Sequence, residues 1–166
     1  MGSDPGSRAS GLTPVYPVFA PADPDFERRT RASFAKQGAM AFLGATLEKV
    51  APGHVEISLA YRPELSQQHG FFHAGIVSTI ADSAGGYAGF TLFPAEAAVL
   101  TVEFKVNLLA AADGERVEAV GEVIRSGRTL TVCRIDAFVV KGGKRSHCAT
   151  GLQTLIAVTG RAGVKD

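Results

Sequence analysis

Between His54 and Tyr61 the chain alternates apolar and polar or small side chains. Val55, Ile57, Leu59 and Tyr61 take one parity and His54, Glu56, Ser58 and Ala60 the other. A period of two marks a strand with one buried face, and Pro52-Gly53 ahead of it marks a tight turn. The stretch from Phe42 to Tyr61 is therefore predicted to form a β-hairpin. The alternation returns at Leu100, Val102, Phe104, Val106 and Leu108, set against Thr101, Glu103, Lys105 and Asn107. That pattern predicts a strand that buries its Leu/Val/Phe face. Two more strands, about Arg116 to Arg125 and Thr129 to Val140, are joined by Ser126-Gly127-Arg128. A last one, about Arg145 to Val158, follows the Lys141-Gly142-Gly143-Lys144 turn.

Two segments lack this alternation. Asp23 can cap free amides and Pro24 suits a first helical turn, which predicts a helix to about Gln37, stopped by Gly38. From Phe71 to Phe93 the run of isoleucine, alanine and glycine suits a helix better than a strand. The order is thus helix, two strands, long helix, four strands. With no βαβ unit, the sheet is predicted to be antiparallel and the fold class α+β. A helix of about 20 residues is near 30 Å long, and it is the only large element available to cover about six strands, so the sheet must curl around it. The chain of 166 residues suits one such domain, expected over residues 23–158. A flexible N-terminal segment, 1–22, and a C-terminal tail, 159–166, would flank it.

Charge narrows the function. Net charge is +1 with scattered cations, which argues against a nucleic-acid partner. The N-terminus lacks the apolar run of a signal peptide and no stretch suits a membrane span, so the expected location is cytoplasmic with no membrane partner. Cys133 and Cys148 form no CxxC pair and are expected to be buried free thiols. No His/Asp/Cys cluster suggests a metal.

Asp82 is the one Asp, Glu, Lys or Arg between Leu65 and Ala95, inside the most apolar predicted helix. A lone buried carboxylate costs several kcal/mol or holds a proton, so it persists for a partner or a function. At 100° per residue, Gly75, Ser78, Gly86 and Gly89 fall near Asp82, and Ile76, Val77, Ile80, Ala84, Tyr87 and Ala88 fall opposite. Small residues around one acid point to a cleft or an interface; local pairing of Asp82 with tight packing at the glycines is the alternative. The helix opens at Gly70-Phe71-Phe72-His73-Ala74-Gly75, where amides lack intrahelical partners and can hold an oxyanion, worth about 3 kcal/mol per good donor. Gln67 and His73 are close enough in sequence to help orient a carbonyl. For His73 a hydrogen bond within the loop is the alternative.

Gln67-Gln68-His69-Gly70-Phe71-Phe72-His73-Ala74-Gly75, continuing to Ile80-Ala81-Asp82, resembles the motif of hotdog-fold acyl-CoA thioesterases of the phenylacetate-degradation (PaaI-like) type. The likeness extends through Thr101-Val102-Glu103-Phe104-Lys105 and Ser126-Gly127-Arg128-Thr129-Leu130. It implies hydrolysis of an acyl- or aryl-acyl-CoA, with Asp82 as nucleophile or general base. The Ala74 amide and the Gln67 side chain would polarise the thioester oxygen, and His73 would assist that cluster or the departing thiolate. Thr101 would hold water beside the acid of a neighbouring subunit. Gly70, Gly75, Ser126, Gly127 and Arg128 would contact substrate. Ala74 stands where the family has glycine, and Gln67 where many members have asparagine. The resemblance further implies a homodimer with a continuous sheet, often a homotetramer, and no cofactor beyond coenzyme A as part of the substrate. Arg125, Arg128, Lys141, Lys144 and Arg145 are candidates for the coenzyme's phosphates or plain turn charges; Phe71, Phe72, Tyr87 and Phe90 are candidates for an acyl pocket or core. The rival readings are a hotdog enoyl-CoA hydratase or dehydratase and a non-catalytic acyl-CoA binding module.

Overall fold

In the computed structural model, which describes residues 18–161 and 163, the alternating segments pair into one antiparallel sheet. The expectations for the two chain ends thus lie largely (1–22) or partly (159–166) outside the described residues. The strands are β1 (Thr46–Ala51), β2 (His54–Ala60), β3 (Ala98–Leu108), β4 (Arg116–Ser126), β5 (Leu130–Lys141) and β6 (Lys144–Val158). Their order across the six-stranded sheet is β1-β2-β4-β5-β6-β3. Turn chemistry fixes the hairpins. Gly53 has φ 73°, and Gly142 and Gly143 have φ 54° and 76°, left-handed values that matched hairpin turns demand and side chains resist.

The long helix α3 (Ala74–Phe90) lies across the inner face of the sheet and packs on β2 through β6. Val77, Ile80, Ala84, Tyr87 and Ala88 are buried as their helical spacing predicts, and Val55, Ile57, Leu59, Val117, Ala119, Ile135 and Leu155 meet them from the strands. Each such fully buried large side chain contributes about 1.5–3 kcal/mol. Gly121 lets β4 come up against the α3 backbone, because a Cβ there would collide with the Ala84 carbonyl.

The N-terminal helix is shorter than expected. It spans Phe26–Phe34, and Gly38 opens a second helix, Gly38–Leu43, instead of ending the first. Gly44, at φ 77°, ends that second helix by returning its N–H to Met40 and Ala41 carbonyls. The first strand consequently starts at Thr46, four residues after Phe42. Asp23 accepts from the Asp25 amide at 2.9 Å and pairs with Arg29 Nε at 3.1 Å. Arg29 in turn donates to the Pro94 and Phe93 carbonyls, both at 2.7 Å, and lies 4.2 Å above the Phe90 ring. A cation thereby closes the negative end of α3.

The second correction concerns β3. Its apolar parity is not buried: Val102 is 55% exposed and Leu108 59%. The strand is an edge, and a bulge between Thr101 and Glu103 shifts its parity against β6. Thr101 stands opposite Leu155, and Phe104 opposite Gln153. Paired residues share a face, and Leu155 and Gln153 both face α3, so Thr101 and Phe104 lie on the inner side of one strand despite their odd spacing.

Candidate active site

Asp82 is half-buried near the middle of α3. Its Oδ1 accepts from Thr101 Oγ1 at 2.8 Å and from Gln153 Nε2 at 2.6 Å. Gln153 also donates to the Asp82 carbonyl at 3.0 Å. Removal from water pushes the Asp82 carboxyl above its ordinary value, and the Thr101 and Gln153 hydrogen bonds to the charged form pull it back. The carboxylate opens on a cleft of about 90 Å³ lined by Gln37, Ser83, Gly86, Tyr87, Val99 and Thr101. At Gly86 an added Cβ would meet nothing within 4 Å among the described residues, so the small-residue front does border open space. Gly89 instead packs against Leu155 and Thr131.

The helix start forms a second cleft. His73 is the N-cap of α3: its backbone is extended, and its Nδ1 accepts from Gly75 N–H at 2.9 Å. That bond uses the Gly75 amide and occupies one ring nitrogen, so His73 acts on the helix rather than reaching Gln67. The Ala74 N–H has no partner among the described residues. It borders a cleft of about 160 Å³ whose other walls include Gln67, Phe71, Phe72, Val77 and Leu108. Gln67 Oε1 accepts from the His69 amide, which ties the side chain into the loop, and Gly70 makes the turn there with φ 81°.

These two clefts are separate within one chain. Ala74 and Asp82 are eight residues apart on one helix, about 12 Å along its axis, too far for both to act on one carbonyl. Thr101 donates to the acid of its own chain. Ser126, Gly127 and Arg128 are exposed in the β4–β5 turn, where Gly127 N–H donates to the Leu130 carbonyl at 2.9 Å; no hydrogen bond joins them to Asp82 among the described residues. The five cations do not cluster. Arg125 and Arg128 lie at one end of β5 and Lys141, Lys144 and Arg145 at the other, about 40 Å of strand away. Lys141 is paired with Asp113 at 2.7 Å, and Arg145 with Glu118 at 2.9 Å. Of the four aromatics, Phe71 and Phe72 border the Ala74 cleft and Tyr87 the Asp82 cleft, while Phe90 is wholly buried.

Sequence reasoning missed Gln153 and Gln37. For Gln153 a signal existed: along β6 it interrupts the inward parity Ala149, Gly151, Leu155 with an amide. Gln37 carried none, since it stood at the end of an exposed helix and reaches the site only because the chain turns there.

A thioesterase superfamily model matches residues 69–146. A thioesterase family protein from Silicibacter pomeroyi has a structure similar to this one with TM-score 0.80 and 51% identity, covering 81% of this chain and 99% of that one. A candidate esterase of Sulfurisphaera tokodaii is 32% identical over 110 residues, 66% of this chain and 79% of its own. The PaaI protein of E. coli shares the fold, with TM-score 0.71 at 16% identity, over 85% of this chain and 96% of that one.

Proposed function

This chain belongs to the thioesterase superfamily as a hotdog-fold thioester hydrolase, and from that premise we propose that it is of PaaI-like type and hydrolyses an acyl- or aryl-acyl-CoA with Asp82 as the acting carboxylate. The observation that carries the proposal is Asp82 itself, a lone acid on an apolar helix, held by two donors at the mouth of a cleft. As general base, Asp82 takes a proton from water while the oxygen bonds to the thioester carbon. The tetrahedral oxyanion accepts a hydrogen bond from the Ala74 N–H of a second copy of the chain, the C–S bond breaks, and the thiolate leaves with the proton from Asp82. As nucleophile, Asp82 would attack the thioester carbon, break the C–S bond and expel the thiolate to form a mixed anhydride, which water then opens by attack at the Asp82 carboxyl carbon, releasing the free acid. A single turnover in ¹⁸O-water separates the routes by whether label enters Asp82 or the product alone.

The separation of Asp82 from Ala74 on one helix supports a site shared between two copies of the chain. Strand β3 offers the means: its outer edge is unpaired among the described residues, and it exposes Val102, Phe104 and Leu108. A second copy pairing edge to edge would bring its own helix start towards this Asp82 and cover that apolar surface. A row of Leu100, Ile156 and Leu130 crosses the outer face of the sheet and could receive a second dimer; sedimentation mass distinguishes dimer from tetramer. Coenzyme A is then part of the substrate rather than a resident cofactor. The buried, unpaired thiols of Cys133 and Cys148 are consistent with a reducing cytoplasm.

The test is thiol release from aryl-, short-chain and long-chain acyl-CoAs by wild type and Asp82→Asn. Hydrolysis of any member that falls at least about 100-fold in the variant supports the assignment. Normal turnover by the variant removes Asp82 from the mechanism. Silence across the panel with tight binding of the esters transfers the reading to a binding module or to a hydratase, which an enoyl-CoA assay separates.

A further inference from the structure

We propose that Gln153 is a positioning residue for the reaction, its amide fastening Oδ1 of Asp82 so that Oδ2 alone is left for the chemistry in the cleft. The proposal rests on the reading of Asp82 as the acting carboxylate. Nε2 of Gln153 lies 2.6 Å from Asp82 Oδ1, 3.0 Å from the Asp82 carbonyl and 3.0 Å from Thr101 Oγ1. Thr101 donates to the same Oδ1. Two donors thus load one carboxylate oxygen, and Oδ2 has no protein donor among the described residues.

Packing alone does not explain this amide. Gln153 is fully buried at 0% exposure, where both ends of an amide normally find partners. Its Oε1 has none. A methionine would fill much the same space without an orphaned acceptor, so what the glutamine adds is its N–H donor. The helix makes room for it: a Cβ at Gly85 would overlap Oε1 and crowd the Ile135 side chain. The β3 bulge completes the arrangement by turning Thr101 inward beside the amide. Strand β6, strand β3 and helix α3 therefore meet at one carboxylate oxygen.

Two consequences separate positioning from packing. The amide donates to the ionised carboxylate and so favours ionisation against the desolvation of the site. It also holds the side chain in one rotamer, so that Oδ2 need not be reoriented at each turnover. Losing it should make Asp82 harder to ionise and slow the chemical step without weakening substrate binding.

The experiment is the pH dependence of kcat and KM, on the acyl-CoA that wild type hydrolyses best, for wild type, Gln153→Met, Gln153→Glu and Asp82→Asn. In Gln153→Met the acidic limb of kcat is expected to move up by about one pH unit, with the plateau about 10-fold lower and KM within about two-fold. Gln153→Glu, nearly the same volume, should move the limb further up, because a second carboxyl disfavours the charge on Asp82. Circular dichroism and thermal unfolding identify folded variants; where one does not fold, the other carries the test. A limb that stays at its wild-type position overturns the proposal, even if kcat falls, because loosened packing would give that result. Wild-type turnover by Asp82→Asn would instead sink the reading of Asp82, and the role of Gln153 with it.

Discussion

Gln153 Nε2 lies 2.6 Å from Oδ1 of Asp82, a bond between residues 71 positions apart that fastens the last strand to the middle of the central helix. It favours the charged form of the candidate base against the desolvation that opposes it, as well as holding its orientation. The first prediction follows from that charge state.

Burial raises the Asp82 carboxyl above the 3.8 of an ordinary aspartate, the Thr101 and Gln153 bonds offsetting part of the rise. A base must be ionised, so kcat is expected to fall as pH drops through this raised value, in a range where a free aspartate would still be charged. Stability has the opposite sense. The folded state binds the proton more tightly than the unfolded state, so Asp82 lowers unfolding free energy as pH rises from 3.8 through its folded value. Asp82→Asn lacks this titration and should gain stability relative to wild type across that window, then hold the gain at higher pH. Urea unfolding of both proteins between pH 4 and pH 8 checks the sign.

Ala74→Pro removes a single hydrogen-bond donor with little structural penalty. Position 74 is the first residue of α3, where proline is favoured, and His73 before it is already extended with ψ 136°. The melting temperature should hardly move, while kcat falls by about 100-fold or more for want of an oxyanion donor. Mixing Ala74→Pro with Asp82→Asn chains and allowing exchange should restore about a quarter of wild-type activity, one intact site in each heterodimer. No recovery, with exchange verified by mass spectrometry, would place both groups in the same chain's site and contradict the shared arrangement.

Cys133 is wholly buried, and burial pushes its thiol up to about 12. At pH 8 almost none is thiolate, the reactive form. Iodoacetamide should leave the folded enzyme's activity and mass at Cys133 unchanged, and label that cysteine only after denaturation. Rapid labelling of the folded protein would contradict the burial of this thiol.

Gly121→Ala should destabilise the fold by about 1–3 kcal/mol, the cost of overpacking, because the new methyl would strike the Ala84 carbonyl on α3. Chemical denaturation gives the value. The same substitution at Gly86, open to the cleft, should cost far less, about 1 kcal/mol or below, since alanine favours a helix.

Local pattern was enough for most elements. The strict alternation of β2, the glycine turn before β6 and the apolar run of α3 each announced their structure, because hydrophobic period and turn chemistry are properties of neighbouring residues. A lone acid among small residues likewise singled out Asp82, and the unpaired amide at Ala74 followed from where a helix must begin.

What local pattern could not carry was parity across a bulge, orientation at a distance and exposure at an edge. Thr101 read as outward because alternation was assumed unbroken; the extra residue at Val102 turned it inward, and that bulge exists only against β6. Gln153 became the partner of Asp82 because sheet order placed β6 beside β3 and under α3. The Val102 and Leu108 side chains looked like core and proved exposed, since burial depends on which strand comes next, and among the described residues β3 has a neighbour on one side alone. Interactions a few residues in range were sufficient to specify the elements and the acid. What holds that acid, and the open edge of β3, arise from strand order and register, which are set by contacts between distant segments.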